Sequence, residues 1–295
     1  MRYPLVALIL VACGKAAAPP IVETTPVATG SAAPVVAPDA AVAPAPPAPP
    51  PGQHATLADA LAAIIPADAR VVGFGELHAR VDRAQVKSAL SLFTTALPSL
   101  GDKFSDLIVE TFIVDPKCGQ TAQKATQQMQ TEVKRPEATK SEIALLADAA
   151  KAAKIQPHAM TLSCADYKAL VPNGQIDPLA MLTITTRELK RIALSAVAHR
   201  DKDAAHRPWI ALYGGALHND RSPDDAVKEW SYAAAVDTAT KGRFVEVDLI
   251  VPELAAADAN SKKQPWFSLV ETAGDWVQVF KRNDRSFVVV LPRTK

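Results

Sequence analysis

The sequence has no charge excess: 32 Lys and Arg stand against 31 Asp and Glu, a formal +1. With no block of like charge either, it lacks the electrostatic footprint that a polyanion requires, and nucleic-acid binding is excluded as a function class. It also lacks a run long enough to cross a bilayer as a helix, which takes about 20 apolar residues; the apolar stretch Leu5 to Ala12 is too short. Only three cysteines occur, none with a base beside it, which disfavours a thiol nucleophile. There is no His-Glu-x-x-His, no Gly-x-Ser-x-Gly elbow, no P-loop and no Gly-x-Gly-x-x-Gly, so the familiar zinc-peptidase, serine-hydrolase and nucleotide signatures are missing. Gly73-Phe-Gly75 supplies only half of the last.

What is present begins with MRYPLVALILVACGK, a short basic start followed by an apolar stretch and small residues, the pattern of a secretory signal. Leu10-Val11-Ala12-Cys13 resembles the bacterial lipobox, in which the signal is cut before a cysteine that then carries lipid. Residues 1–12 are accordingly expected to be a lipoprotein signal peptide and Cys13 the lipidation site. Gly14 in place of an aspartate implies sorting to the outer membrane of the bacterial cell envelope. Residues 13–53 hold nearly half of the 24 prolines with alanine, valine and almost no charge. Such a segment cannot build a core and is expected to be an extended, disordered tether. Cys118 and Cys164 then remain, either to pair in an oxidising compartment or to stay as inert thiols.

From residue 54 to 295 the pattern alternates helix and strand. Thr56 caps a helix with Leu57, Leu61, Ile64 and Ile65 on one face, and Asp59 stands where a capping-box acid would. Arg70 to Gly75 reads as a buried strand, and Asp82 with Gln85 opens a second helix bearing Val86, Leu90, Phe93 and Leu97. Leu107 to Phe112 is the next strand. A polar helical insertion spans 118 to 138, and Thr139 with Glu142 forms a capping box for a helix through Lys154. Ile155 to Leu162 reads as a strand, Thr186 to Arg200 as a long helix, and Trp209 to Tyr213 as another strand. Ser222-Pro223 starts a helix, Phe244 to Ile250 is a strand, and Trp276 to Phe280 with Phe287 to Leu291 makes a hairpin. The expected architecture is a single α/β domain: a mainly parallel central sheet with helices on both faces and a C-terminal antiparallel hairpin.

Gly75-Glu-Leu-His78 has a counterpart in Gly215-Ala-Leu-His218. Chance predicts about 0.24 such Gly-x-x-His pairs in this composition, so two are modestly surprising. Each ends an apolar strand and each histidine lies four residues before an expected helix cap, at Asp82 and Ser222. Both imidazoles therefore fall at the carboxyl ends of strands, where open α/β sheets bind ligands. Glu110 falls near the end of the next strand and can share that crevice. Two imidazoles with one or two carboxylates suit a divalent metal with an open position, or acid/base work without metal. The candidate catalytic residues are Glu76, His78, Glu110 and His218, with His78, Glu110 and His218 as metal ligands and Arg83 as a substrate contact. Glu76 either builds the site with His78 or turns aside to Arg80 or Arg83. His158 reads as a satisfied core or edge histidine, His199 and His206 as solvated, Tyr213 as core, and Asp248 as a weaker candidate for the crevice.

Carried by Gly75-Glu76-Leu77-His78, Val109-Glu110 and Gly215-Ala-Leu-His218, the chain resembles the haem-binding uptake/Tiki superfamily, which joins ChaN-like lipoproteins, TraB and Tiki proteins, and erythromycin esterases. The resemblance spans most of residues 70 to 220 and rests on short motifs. It implies a membrane-anchored lipoprotein with a hydrolase-like site for a peptide or ester, using zinc or manganese or the His and Glu groups alone. The alternatives it implies are haem binding for iron uptake and a degenerate, non-catalytic binding module. The partners are a membrane, through Cys13, and a small-molecule or peptide substrate.

Overall fold

The computed structural model describes residues 9–11, 48–133, 136–202 and 207–294. Its strands form from short buried apolar runs, as a sheet covered on both faces demands. They are β1 (Ile9–Val11), β2 (Gln53–His54), β3 (Val71–Glu76), β4 (Phe104–Ile113), β5 (Gln156–Thr161), β6 (Trp209–Gly215), β7 (Phe244–Ile250), β8 (Val277–Asn283) and β9 (Ser286–Val290). Among the described residues these make one nine-stranded sheet in the order β1-β4-β6-β3-β7-β9-β8-β2, with β5 also on β4. The ladders from β5 through β4, β6, β3 and β7 to β9 are parallel. Antiparallel pairing enters with the β8–β9 hairpin and with β2 on β8. The protein is α/β, with a mainly parallel sheet and a C-terminal antiparallel hairpin.

The helices are α1 (Leu57–Ile64), α2 (Ala89–Ala96), α3 (Gly119–Val133), α4 (Ala138–Ala152), α5 (Cys164–Leu170), α6 (Pro178–Arg200), α7 (Ala216–Asn219), α8 (Ala233–Ala239), α9 (Pro252–Ala255) and α10 (Phe267–Glu271). Strand alternation sends Val72, Phe74, Leu107 and Tyr213 to the face covered by α1, α2 and α4. Val71, Ile108 and Leu212 go to the opposite face, under α3, α5, α6 and α8. A third cluster packs α9 and α10 on Ile250, Val288 and Val290. Among the described residues no helix is long and apolar enough to cross a membrane. Cys13 and most of the tether lie outside the described residues, as does His206; Gln53 already pairs with β8. The segment read as signal includes β1, which pairs in parallel with Thr111 to Ile113 of β4.

Local chemistry explains where helix boundaries differ from expectation. Thr56 accepts from Asp59 N–H at 3.1 Å and caps α1 as read. Asp82 does not open a helix: it sits in a single 3-10 turn, Val81–Arg83, paired with Arg80 at 2.9 Å. The helix waits for Ser88, whose hydroxyl accepts from Ser91 N–H. Ser222-Pro223 likewise starts no α-helix; Ser222 N–H is taken by Asp220, and the next helix is α8. Thr139 and Glu142 form no capping box, since α4 already begins at Ala138. The long helix begins at Pro178, where Asp177 caps it by accepting from Leu179 and Ala180 N–H. Cys118 and Cys164 form a disulfide that ties the start of α3 to the start of α5.

At the amino ends of the strands, Asp106 is 2% exposed and accepts from His158 at 2.7 Å, from Arg200 at 2.7 Å and from Ser105 at 2.7 Å. His158 is thus a satisfied edge histidine. Burial opposes ionisation of Asp106, but the bonds from His158, Arg200 and Ser105 outweigh it and hold the carboxyl well below the usual carboxylate range. A folded-state pKa below the unfolded one adds stability that is complete above the unfolded value, about 3.9, and is lost as pH falls toward the folded one. Asp106→Asn should therefore lower unfolding free energy at pH 7 by about 3 kcal/mol and flatten its decline between pH 5 and pH 3. Urea titrations across that range measure both; an unchanged acid limb in the variant would contradict this account.

Candidate functional site

The site is built where three strands end, and glycine makes it fit. A Cβ on Gly75 would stand 2.7 Å from the Cα of Ala216 and 2.7 Å from Asp248 Oδ1. Only a residue without a side chain lets α7, the turn of helix that carries His218, lie directly on β3. Asn219 fixes that turn by donating from Nδ2 to the Gly73 carbonyl at 3.0 Å. Gly214 plays the same part for Glu110, whose carboxylate and Cβ occupy the space a side chain there would need. The register of β4 on β5 shifts between Val109 and Phe112, so Glu110 and Thr111 form a bulge. Bulges of this kind re-aim side chains beside sites. Glu110 Oε2 accepts the Gly215 N–H at 2.6 Å.

Each imidazole is then held by its Nδ1. His78 Nδ1 lies 2.8 Å from Glu76 Oε1, and a carboxylate can only accept, so Nδ1 carries the proton. Glu76 Oε2 accepts from the Tyr213 hydroxyl at 2.6 Å. Glu76 thus turns to His78, not to Arg80 or Arg83. His218 is fully buried, with Nδ1 at 2.9 Å from the Trp230 carbonyl and 2.9 Å from the Thr186 hydroxyl. The carbonyl can only accept, so this Nδ1 is also protonated; Thr186 passes its own proton to a carbonyl, with Leu182 O at 2.9 Å. In their neutral forms both rings therefore present an Nε2 lone pair. Each Nε2 is buried without a hydrogen bond, and they face one atom, Glu110 Oε1, at 3.8 Å from His78 and 4.0 Å from His218. Three acceptors pointing together repel unless a proton or a donor lies among them. A void of about 10 Å³ beside Glu76, His78, Glu110 and Tyr213 is close to the room one water needs.

The structure brings Glu76, His78, Glu110 and His218 together. It leaves Arg83 exposed on its 3-10 turn, outside the residues that line the void. The matched lead of four residues into helix caps does not exist, because neither Asp82 nor Ser222 caps an α-helix; the histidines converge through the glycine contacts instead. Tyr213, read as core, is part of the cluster, and so are Thr186 and the Trp230 carbonyl, for which the sequence carries no local signal. Among the described residues no group of three or more His, Cys, Asp or Glu is placed to hold a metal ion.

No family model and no curated protein matches the chain. Among solved structures, that of the type III effector HopBA1 aligns with 86% of this chain and 100% of its own, at 14% identity and a TM-score of 0.44, a likeness too low to carry an argument.

The tight seat of Glu110 over Gly214 sets a clear expectation. Gly214→Ala must expel the carboxylate from its bond to Gly215 N–H or shift β6, at a cost of about 1–3 kcal/mol. Chemical denaturation measures the loss, and a variant as stable as the parent would refute the packing described.

Proposed function

We propose that this chain is a lipoprotein of the bacterial cell envelope, anchored through Cys13, with a His/Glu hydrolase site for peptide or ester bonds. The observation that carries the chemical part is the convergence of two Nδ1-protonated imidazoles on Glu110 Oε1. Placement in the Tiki-like superfamily and lipid anchoring rest on the motifs and the lipobox, and belong to the proposal.

His78 is the general base. Its Nε2 takes a proton from water, Glu76 holds the ring in the required tautomer, and the same carboxylate stabilises the imidazolium that forms. The hydroxide oxygen bonds to the substrate carbonyl carbon. The carbonyl π pair moves to its oxygen on attack and returns as the tetrahedral intermediate breaks the bond to the leaving oxygen or nitrogen, which takes the one proton that the Glu110–His218 pair holds at the start of the cycle. The proton on His78 returns to that pair through the product acid. Burial keeps these charges in a low-dielectric pocket where each interaction counts for more than in water.

His78→Ala and His218→Ala should each reduce turnover of ester or peptide substrates by about 10²-fold or more, the usual worth of a positioned acid or base, with thermal unfolding still cooperative. Full activity in both would end the hydrolase reading. Activity should also survive chelation; loss on chelation with recovery on adding zinc or manganese would replace this mechanism with a metal-assisted one.

A further inference from the structure

A second cavity, of about 490 Å³, is lined in part by Leu77 and Leu217, the chain neighbours of His78 and His218, and its size is within the usual range for small-molecule sites. It opens where β3 pairs with β6 on one side and β7 on the other, the point at which an open α/β sheet reverses its strand order and binds ligands. Its walls are mostly apolar and include Leu182, Trp230 and Trp266. Three aspartates line it, Asp220, Asp248 and Asp258, and Arg282 is the one basic residue among the lining side chains.

That single cation is already committed. Arg282 Nη1 bridges Glu246 Oε1 at 2.8 Å and Asp248 Oδ2 at 2.8 Å, and both carboxylates are buried. One guanidinium therefore serves two desolvated acids, with Asp220 close enough to add repulsion. Burial, then the charge of Asp248, pushes the Glu246 carboxyl up to about 7. Burial likewise raises Asp248, against the pull of Arg282. Around them stand Ser286, donating to Glu246 at 2.8 Å, and Arg221 N–H at 3.3 Å. Trp266, which lines the wall, is 4% exposed, and its Nε1–H is itself buried without a hydrogen-bond partner.

We propose that this cavity binds amphipathic organic amines, the ammonium against Asp248 and Asp220 and the apolar body among Leu182, Trp230 and Trp266. The cation supplies the charge the floor lacks, indole faces favour a cation nearby, and the apolar walls fix the remainder. Because an ammonium favours the ionised carboxylates, binding near neutral pH releases protons and strengthens from pH 6 to pH 8.

The test titrates the full chain with octylamine, octanol and octanoate at pH 7.5, followed by tryptophan fluorescence and calorimetry. Octylamine should saturate at least tenfold more tightly than either of the other two. Asp248→Asn should weaken octylamine about tenfold, the worth of one charge-assisted hydrogen bond, and leave octanol unchanged. Leu182→Trp, which fills the cavity without touching the acids, should abolish both, and thermal unfolding of each variant shows that the fold persists. Octanol or octanoate binding as tightly as octylamine, no saturation up to millimolar octylamine, or undiminished affinity in Asp248→Asn and Leu182→Trp would overturn the proposal. His78→Ala should bind octylamine like the parent, so failure of the cavity and failure of the hydrolase are read separately.

Discussion

Two absent side chains govern the carboxyl edge of this sheet, because His218 and Glu110 can reach the centre only through the space above Gly75 and Gly214. The α7 turn rests on β3 with its backbone where a Cβ would be, which fixes how far His218 stands from the strand ends. Glu110 crosses β6 over Gly214 and is tied down by Gly215 N–H. Placing any side chain at either position moves an element rather than a rotamer, since backbone or a bonded carboxylate is what it would meet. Sheet geometry thus sets the spacing of His218 and Glu110, and rigid elements hold reacting groups more accurately than loops do; His78, in the coil after β3, is held by its bond to Glu76.

The cluster also illustrates how buried polarity is rationed. Buried polar atoms are costly unless paired, and the structure pairs almost all of these: Tyr213 with Glu76, Glu76 with His78, Trp230 and Thr186 with His218. The two Nε2 atoms, both aimed at Glu110 Oε1, are buried without a hydrogen bond. A core designed for stability alone would place apolar residues here; a network that leaves two basic nitrogens converging on a carboxylate oxygen keeps a place for a proton or a reacting donor.

Much of this was readable in the chain. The apolar runs around Val71, Ile108, Leu212 and Val247 announced parallel strands because burial on both faces removes the polar alternation of a half-exposed strand, and the repeated Gly-x-x-His marked two strand ends. Glu76 and Glu110 were visible as charges where an apolar run closes. What the sequence hid is what depends on distance through space. Tyr213 looked like core because its ring is core, with only the hydroxyl in the site. Thr186 lies 32 residues from His218, and nothing local links them. The capping signals at Asp82 and Ser222 misled because Asp and Ser bond to nearby backbone in turns as readily as at helix starts.

The C-terminal hairpin, the least familiar part of the pattern, proves to be tied to the same edge through charge. Glu246 and Asp248 sit two apart on β7 and so point to one face, where burial would drive both toward protonation. Arg282 comes from β8 and reaches them across β9, between the strands it links. Without the hairpin, β7 would be an edge strand carrying two buried acids and no counter-ion, an arrangement that costs several kcal/mol. Adding the hairpin stabilises the pair only in part, because one guanidinium cannot neutralise two carboxylates. The sheet's carboxyl edge is therefore divided: on the side of α2 and α4 the surplus is basic lone pairs around one carboxylate, and on the side of α6 and α10 it is acid around one cation. The first surplus suits proton transfer, and the second suits the capture of positive charge.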